Sequence, residues 1–119
     1  MRSTFKREIF YYENYYENFF AELSQKTRLK FNWTLNLLAT MEWVPEKYFR
    51  SLKGSQGLFE IRVEESSNIY RVFCFFDEGS VVILMNGFRK KTNKTPRKEI
   101  ELAQRLRKKY YHEKAEANP

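Results

Sequence analysis

Apolar positions along the chain recur first with a helical period and later with a strand period. Tyr12, Tyr16, Phe19 and Leu23 fall three or four residues apart, with Tyr15 and Phe20 beside them. Asn14, Glu17, Asn18 and Glu22 fill the opposite side. This spacing predicts an amphipathic helix over 13–25. A second helix is predicted over 28–41, where Phe31, Leu35 and Leu38 form a stripe flanked by Leu37 and Met41. Ahead of both, "FKREIFYY" (5–12) is aromatic and β-branched enough to read as a strand. Pro45 closes this part, and "PEKYFRSL" reads as a short turn of helix.

From Leu58 the period becomes two. Phe59, Ile61 and Val63 alternate with Glu60, Arg62 and Glu64, which predicts a half-buried strand. "ESSN" reads as a turn, "IYRVFCFF" as a second strand, and Asp77-Glu78-Gly79 as a hairpin turn. "SVVILMNGF" is the most apolar strand and belongs near the sheet centre. Thr95 as cap and Pro96 in the first turn then open a last helix, with Ile100, Ala103, Leu106 and Tyr110 as its core stripe. The order βααβββα predicts an α+β fold: a strand and helical hairpin on a small, curved, mostly antiparallel sheet, then a C-terminal helix. A single domain over 1–119 is expected, with 113–119 as a frayed tail.

Composition narrows the function. No apolar run approaches the ~20 residues that span a bilayer, so no membrane association is expected. No secretory signal is apparent at the N-terminus, and the lone Cys74 forms no internal disulfide, which points to the cytoplasm. Cys74 lies in "RVFCFF" and reads as a small buried hydrophobe. With one His and one Cys, four soft zinc ligands are not available, and neither a metal nor a cofactor is expected. His112 reads as a surface residue of the last helix. The net charge of +7 favours polyanionic partners. It is unevenly placed: from Phe88 onward eleven Lys and Arg stand against four Glu.

The candidate chemistry is therefore cationic. Arg62 and Arg71 sit on successive strands, and Lys90 or Lys91 ends the third. Neighbouring strands would gather Glu60, Arg62, Arg71, Lys90, Lys91 and, from the preceding loop, Lys53. "NGFRKKTNKTPR" adds Arg89, Lys94 and Arg97 as phosphate contacts. Such a patch suits RNA cleavage by the substrate's own 2′-hydroxyl. That reaction needs a base, an acid and cations around the phosphorane. Arginine binds phosphate through two N–H groups, and a lysine among cations loses its proton more readily.

"LKGSQGLFEIRV", "YRVFCFF" and "VVILMNGFRKKTNKTP" followed by "EIELAQR" together resemble the RelE/ParE superfamily of bacterial toxins, in its HigB-like, phage-related branch. The resemblance covers about 52–105. It implies the RelE-like fold and a toxin of a type II toxin–antitoxin system. It also implies endoribonuclease cleavage of mRNA in the ribosomal A site, and a small helix-turn-helix antitoxin as partner. By motif position, Arg62, Arg71 and Lys91 fall on the family's cleaving residues. The sequence departs from RelE in having Glu60 where a lysine stands, and in lacking a tyrosine at "TPRKE". Glu60 is thus either a base or an Arg62 partner, and Lys90, Lys91 or Lys94 the acid. Two other readings remain: a ParE-like DNA gyrase inhibitor, and a non-catalytic RNA-binding module.

Overall fold

The protein is described by a computed structural model covering residues 6–91 and 95–118. Its elements are β1 (Glu8–Tyr11), α1 (Tyr15–Ala21), α2 (Gln25–Thr40), β2 (Phe49–Ser51), β3 (Phe59–Glu65), β4 (Asn68–Asp77), β5 (Val81–Lys90) and α3 (Arg97–Ala117). The strands form one five-stranded sheet in the order β1-β5-β4-β3-β2. Among the described residues the β1–β5 pair is parallel and the β2–β3, β3–β4 and β4–β5 pairs are antiparallel. This is the expected α+β architecture.

Helices cover both faces of the sheet. Tyr16, Phe31, Leu35 and Leu38 from the hairpin pack on Ile61, Val63, Val72, Cys74, Val82 and Leu84. Ala103 and Leu106 of α3 pack on Leu58, Phe73, Phe75, Ile83 and Met85 of the other face. Coverage on both sides explains why β4 and β5 read as nearly continuous apolar runs. Cys74 is fully buried among them, and burial raises its thiol pKa.

Helix ends are closed by side chains from elsewhere. The Ser24 hydroxyl accepts from Thr27 N at 3.2 Å and starts α2. The Arg7 guanidinium donates to the Leu38, Met41 and Glu42 carbonyls, supplying the positive charge that a helix C-terminus favours. Arg28 does the same for α1 through the Phe20 and Ala21 carbonyls.

Four details differ from expectation. The first helix is only seven residues long, because Ser24 restarts the chain as α2. "PEKYFRSL" gives no helix; it turns at 46–48 and forms the short edge strand β2. Pro96, with extended ψ of 127°, is itself the N-cap of α3, and among the described residues no side chain caps that end. The tail is not frayed at 113–117: α3 continues to Ala117, held by the C-terminal end of β4. Here the Tyr110 hydroxyl donates to Asp77 Oδ2 at 2.5 Å, and Lys114 Nζ donates to both Asp77 oxygens at 3.0 and 2.9 Å. Tyr12 adds a hydrogen bond to Glu113 Oε1 at 2.6 Å. Burial pushes the Asp77 carboxyl up, but these two donors outweigh it and hold its pKa below the usual range.

The strand β5 carries a register break. Val72 pairs with Gly87 and Cys74 with Leu84, so Met85 and Asn86 together oppose Phe73. This is a β-bulge, and it reverses the facing of every later residue. Asn86 Nδ2 donates to the Glu99 carbonyl and to Glu99 Oε1, both at 3.1 Å, which ties the bulge to α3. Beyond it Gly87 meets the hairpin side. A Cβ there would stand 2.6 Å from Phe19 Cδ2.

Two predictions follow from this packing. Gly87→Ala should lower the urea midpoint by an equivalent of about 1–3 kcal/mol through overpacking, with part recovered in the Gly87→Ala, Phe19→Leu double variant. Asp77→Asn should cost about 1–3 kcal/mol at pH 7. A depressed carboxyl pKa stabilises only above its unfolded value near 4, so the difference between wild type and variant should close as pH falls below about 4. Urea titrations at several pH values measure both.

Candidate functional site

The site begins with a carboxylate inside the sheet. The alternation that predicted a half-buried β3 places Glu60 on the face opposite Ile61 and Val63, yet Glu60 is only 1% exposed. A buried carboxylate requires partners. It has two: Arg50 Nε donates to Oε1 at 2.5 Å, and Arg71 Nη1 donates to Oε2 at 2.6 Å. Register dictates this triad. Glu60 is paired with Arg50 across β2–β3, and Arg71 lies on the adjacent strand one step along. Arg71 is also buried, 2% exposed, while Arg50 keeps one side open to solvent. Glu60 is thus the partner of Arg50 and Arg71, and not of Arg62 as the spacing allowed.

Above the triad opens a cleft of about 680 Å³ lined by Glu46, Arg50, Lys53, Glu60, Arg71, Lys90 and Thr95, among others. Arg71 Nη1 also reaches Thr95 Oγ1 at 3.5 Å, linking the cleft to the start of α3. Its Nε is buried and finds no acceptor among the described residues. Lys90 enters the cleft because of the bulge, which turns Phe88 and Lys90 to the same side as Arg71. Burial lowers the Lys90 pKa first, and the Arg71 guanidinium lowers it further, with Glu60 opposing.

The expected residues therefore divide. Glu60, Arg71, Lys90 and Lys53 share the cleft. Lys91, expected as a principal residue, follows the last strand position, is exposed and does not line the cleft. Without the bulge, strict alternation from Ile83 would have turned Lys91 to this face; the extra residue gives the place to Lys90. Arg89 is exposed and pairs in register with Tyr70, away from the cleft. Arg97 is 92% exposed and faces Glu101 at 3.9 Å. Lys94 lies outside the described residues.

Arg62 shares the Arg71 face in register but lines a neighbouring groove between α2 and β3. Its nearest acid is Glu64, at 3.6 Å. Burial lowers its pKa, followed by repulsion from Arg71 and Arg50. Arg50 is the functional candidate that sequence reasoning missed. Its signal was the alternation Phe49, Arg50, Ser51, Leu52, hidden in a segment read as helix. His112 is exposed and pairs with Glu116 one helical turn on. Among the described residues, no three His, Cys, Asp or Glu side chains gather as metal ligands, and no helix is long and apolar enough to cross a membrane.

A small α+β protein with a basic cleft built around a buried carboxylate is the class that fold and site define. Residues 18–108 match the family model of the phage derived protein Gp49-like family (DUF891). The chain belongs to that family, whose members are RelE-like, toxin-like proteins. No curated protein matches the chain.

Removing Glu60 would leave Arg71 buried without its counter-charge. Glu60→Ala should therefore cost about 3–5 kcal/mol of stability. Lys91→Ala and Arg89→Ala, at exposed positions, should stay within about 0.5 kcal/mol. Chemical denaturation of the three variants checks the contrast.

Proposed function

We propose that the protein is the toxin of a toxin–antitoxin pair and stops translation by cutting mRNA on the ribosome, without a metal ion. The observation that carries this reading is the locking of Arg50 and Arg71 on Glu60 beside Lys90 in one open cleft. In the reaction the 2′-oxygen bonds to phosphorus, the P–O5′ bond breaks, and a 2′,3′-cyclic phosphate and a 5′-hydroxyl result. One proton leaves the 2′-hydroxyl and another reaches the 5′-oxygen. Charge gathers on the phosphorane oxygens between these events.

The cleft supplies the phosphate-binding cations and one proton-transfer group, and solvent water exchanges the other proton. Arg50, the exposed member, is fixed on Glu60 before substrate arrives and meets the phosphate, while the buried Arg71 adds its charge from beneath. Glu60 accepts from both guanidiniums, one per oxygen, which makes it their positioning residue rather than the base. Lys90 is the proton-transfer group, since it lines the cleft beside Arg71, where burial and that guanidinium lower its pKa. Lys53 and Thr95 extend contact along the strand. A small helix-turn-helix antitoxin is the partner this reading carries.

In a translation reaction with a defined mRNA, wild type should cleave and Lys90→Ala should cleave about a hundredfold more slowly. Arg50→Ala should lose a similar amount. Lys90→Arg should keep the charge and stay slow, because arginine does not release its proton at working pH. Lys91→Ala should remain near wild type. Unchanged cutting by both Lys90→Ala and Arg50→Ala, with circular dichroism intact, sinks the reading.

A further inference from the structure

The groove between α2 and β3 is a second basic cavity, of about 530 Å³, and the proposed cleavage does not use it. Its walls combine two kinds of group. Trp33 and Tyr48 meet edge to face, with ring centroids 5.3 Å apart, and Trp33 remains 53% exposed. Around them stand Lys26, Lys30, Lys47 and Arg62; Lys26 pairs with Glu65 at 3.2 Å and Arg62 faces Glu64 at 3.6 Å. Lys30 Nζ donates to the Glu64 carbonyl at 2.9 Å, and Lys47 Nζ stands 4.9 Å from the centre of the Tyr48 ring, so neither is held by a carboxylate. Arg62 Nε is buried and finds no acceptor among the described residues.

The groove and the cleft share no lining residue, but β3 contributes to both. Arg62 and Glu60 lie two residues apart on β3, about 7 Å along the strand. Arg62 N donates to the Tyr48 carbonyl at 2.8 Å, just ahead of Arg50 on β2. An exposed indole among cations is the equipment of a single-strand site. Every base has a face to stack, and each phosphate adds a charge to neutralise.

We propose that this groove binds an unpaired nucleotide of the RNA strand as it leaves the cleft, its base stacked on Trp33 and its phosphate held by Arg62, Lys30 and Lys47. This rests on the reading of the cleft as an RNA site and adds the path of the strand beyond it.

The chain has two tryptophans, Trp33 and Trp43, and Trp43 is 81% exposed. A Trp43→Phe variant therefore reports on Trp33 alone. Titrating it with a short oligouridylate at low salt should quench its fluorescence saturably, while a Trp33→Phe variant, reporting on Trp43, should show no such quenching. Trp33→Ala should weaken oligouridylate binding about tenfold, and Trp33→Phe, which can still stack, should recover most of that loss. Absent quenching, or equal affinity in wild type and Trp33→Ala, overturns the groove assignment. Competition by an acidic peptide but not by RNA overturns it in favour of a protein partner. The translation assay reads the cleft separately. Cleavage that depends on Lys90 while the groove titration is flat sinks the groove alone; failure of that cleavage sinks the cleft reading.

Discussion

Everything at the site depends on one buried carboxylate that bridges two guanidiniums. Burying a charge in a sheet is costly, and Glu60 lies 1% exposed between β2 and β4. What offsets the cost is saturation of both oxygens by charge-assisted hydrogen bonds. The arrangement fixes more than chemistry. It joins side chains from three adjacent strands, so the three-residue β2, too short to be secure by its ladder alone, is anchored through Arg50. Two like charges, which would otherwise repel, are thereby held close in a fixed geometry. Lys90 then experiences them as neighbours.

The fold was largely legible because each face of the sheet is filled by a periodic element. The helical stripes of α2 and α3, Phe31-Leu35-Leu38 and Ala103-Leu106, survive in the structure as its two cores. Three features were not legible, each for a local reason. β2 has only three residues, fewer than an alternation needs to declare itself. The helical end of α3 is highly charged and looks like a tail, yet Glu113 and Lys114 are fastened by long-range partners, Tyr12 and Asp77. The capping of α3 rests on Pro96 backbone geometry rather than on the Thr95 side chain.

The site was legible by residue type and only in part by residue. Glu60, Arg71, Lys90 and Lys53 were placed together from strand order alone, and they do share the cleft. Pairing was the harder question. Arg62 is the sequence neighbour of Glu60 on the same face, but Arg50 and Arg71 reach it across strands. Counting by twos along "VVILMNGFRKK" fails at Met85–Asn86, where the bulge adds a residue that periodicity does not show. A single chain offers no sign of a bulge there except the polar Asn86 and the adjacent Gly87 inside an otherwise apolar run.

That bulge makes register a chemical variable. Arg89, Lys90 and Lys91 are consecutive, so a slip of the strand end by one position would exchange the cation opposite Ile69 without removing it. Arg89 in that place would still grip a phosphate, but a guanidinium keeps its proton where an ammonium can part with one. Under the proposed reading, affinity for the polyanion is degenerate across the three residues and turnover is not. A change as small as one residue's offset could then yield a protein that still grips RNA and leaves it whole.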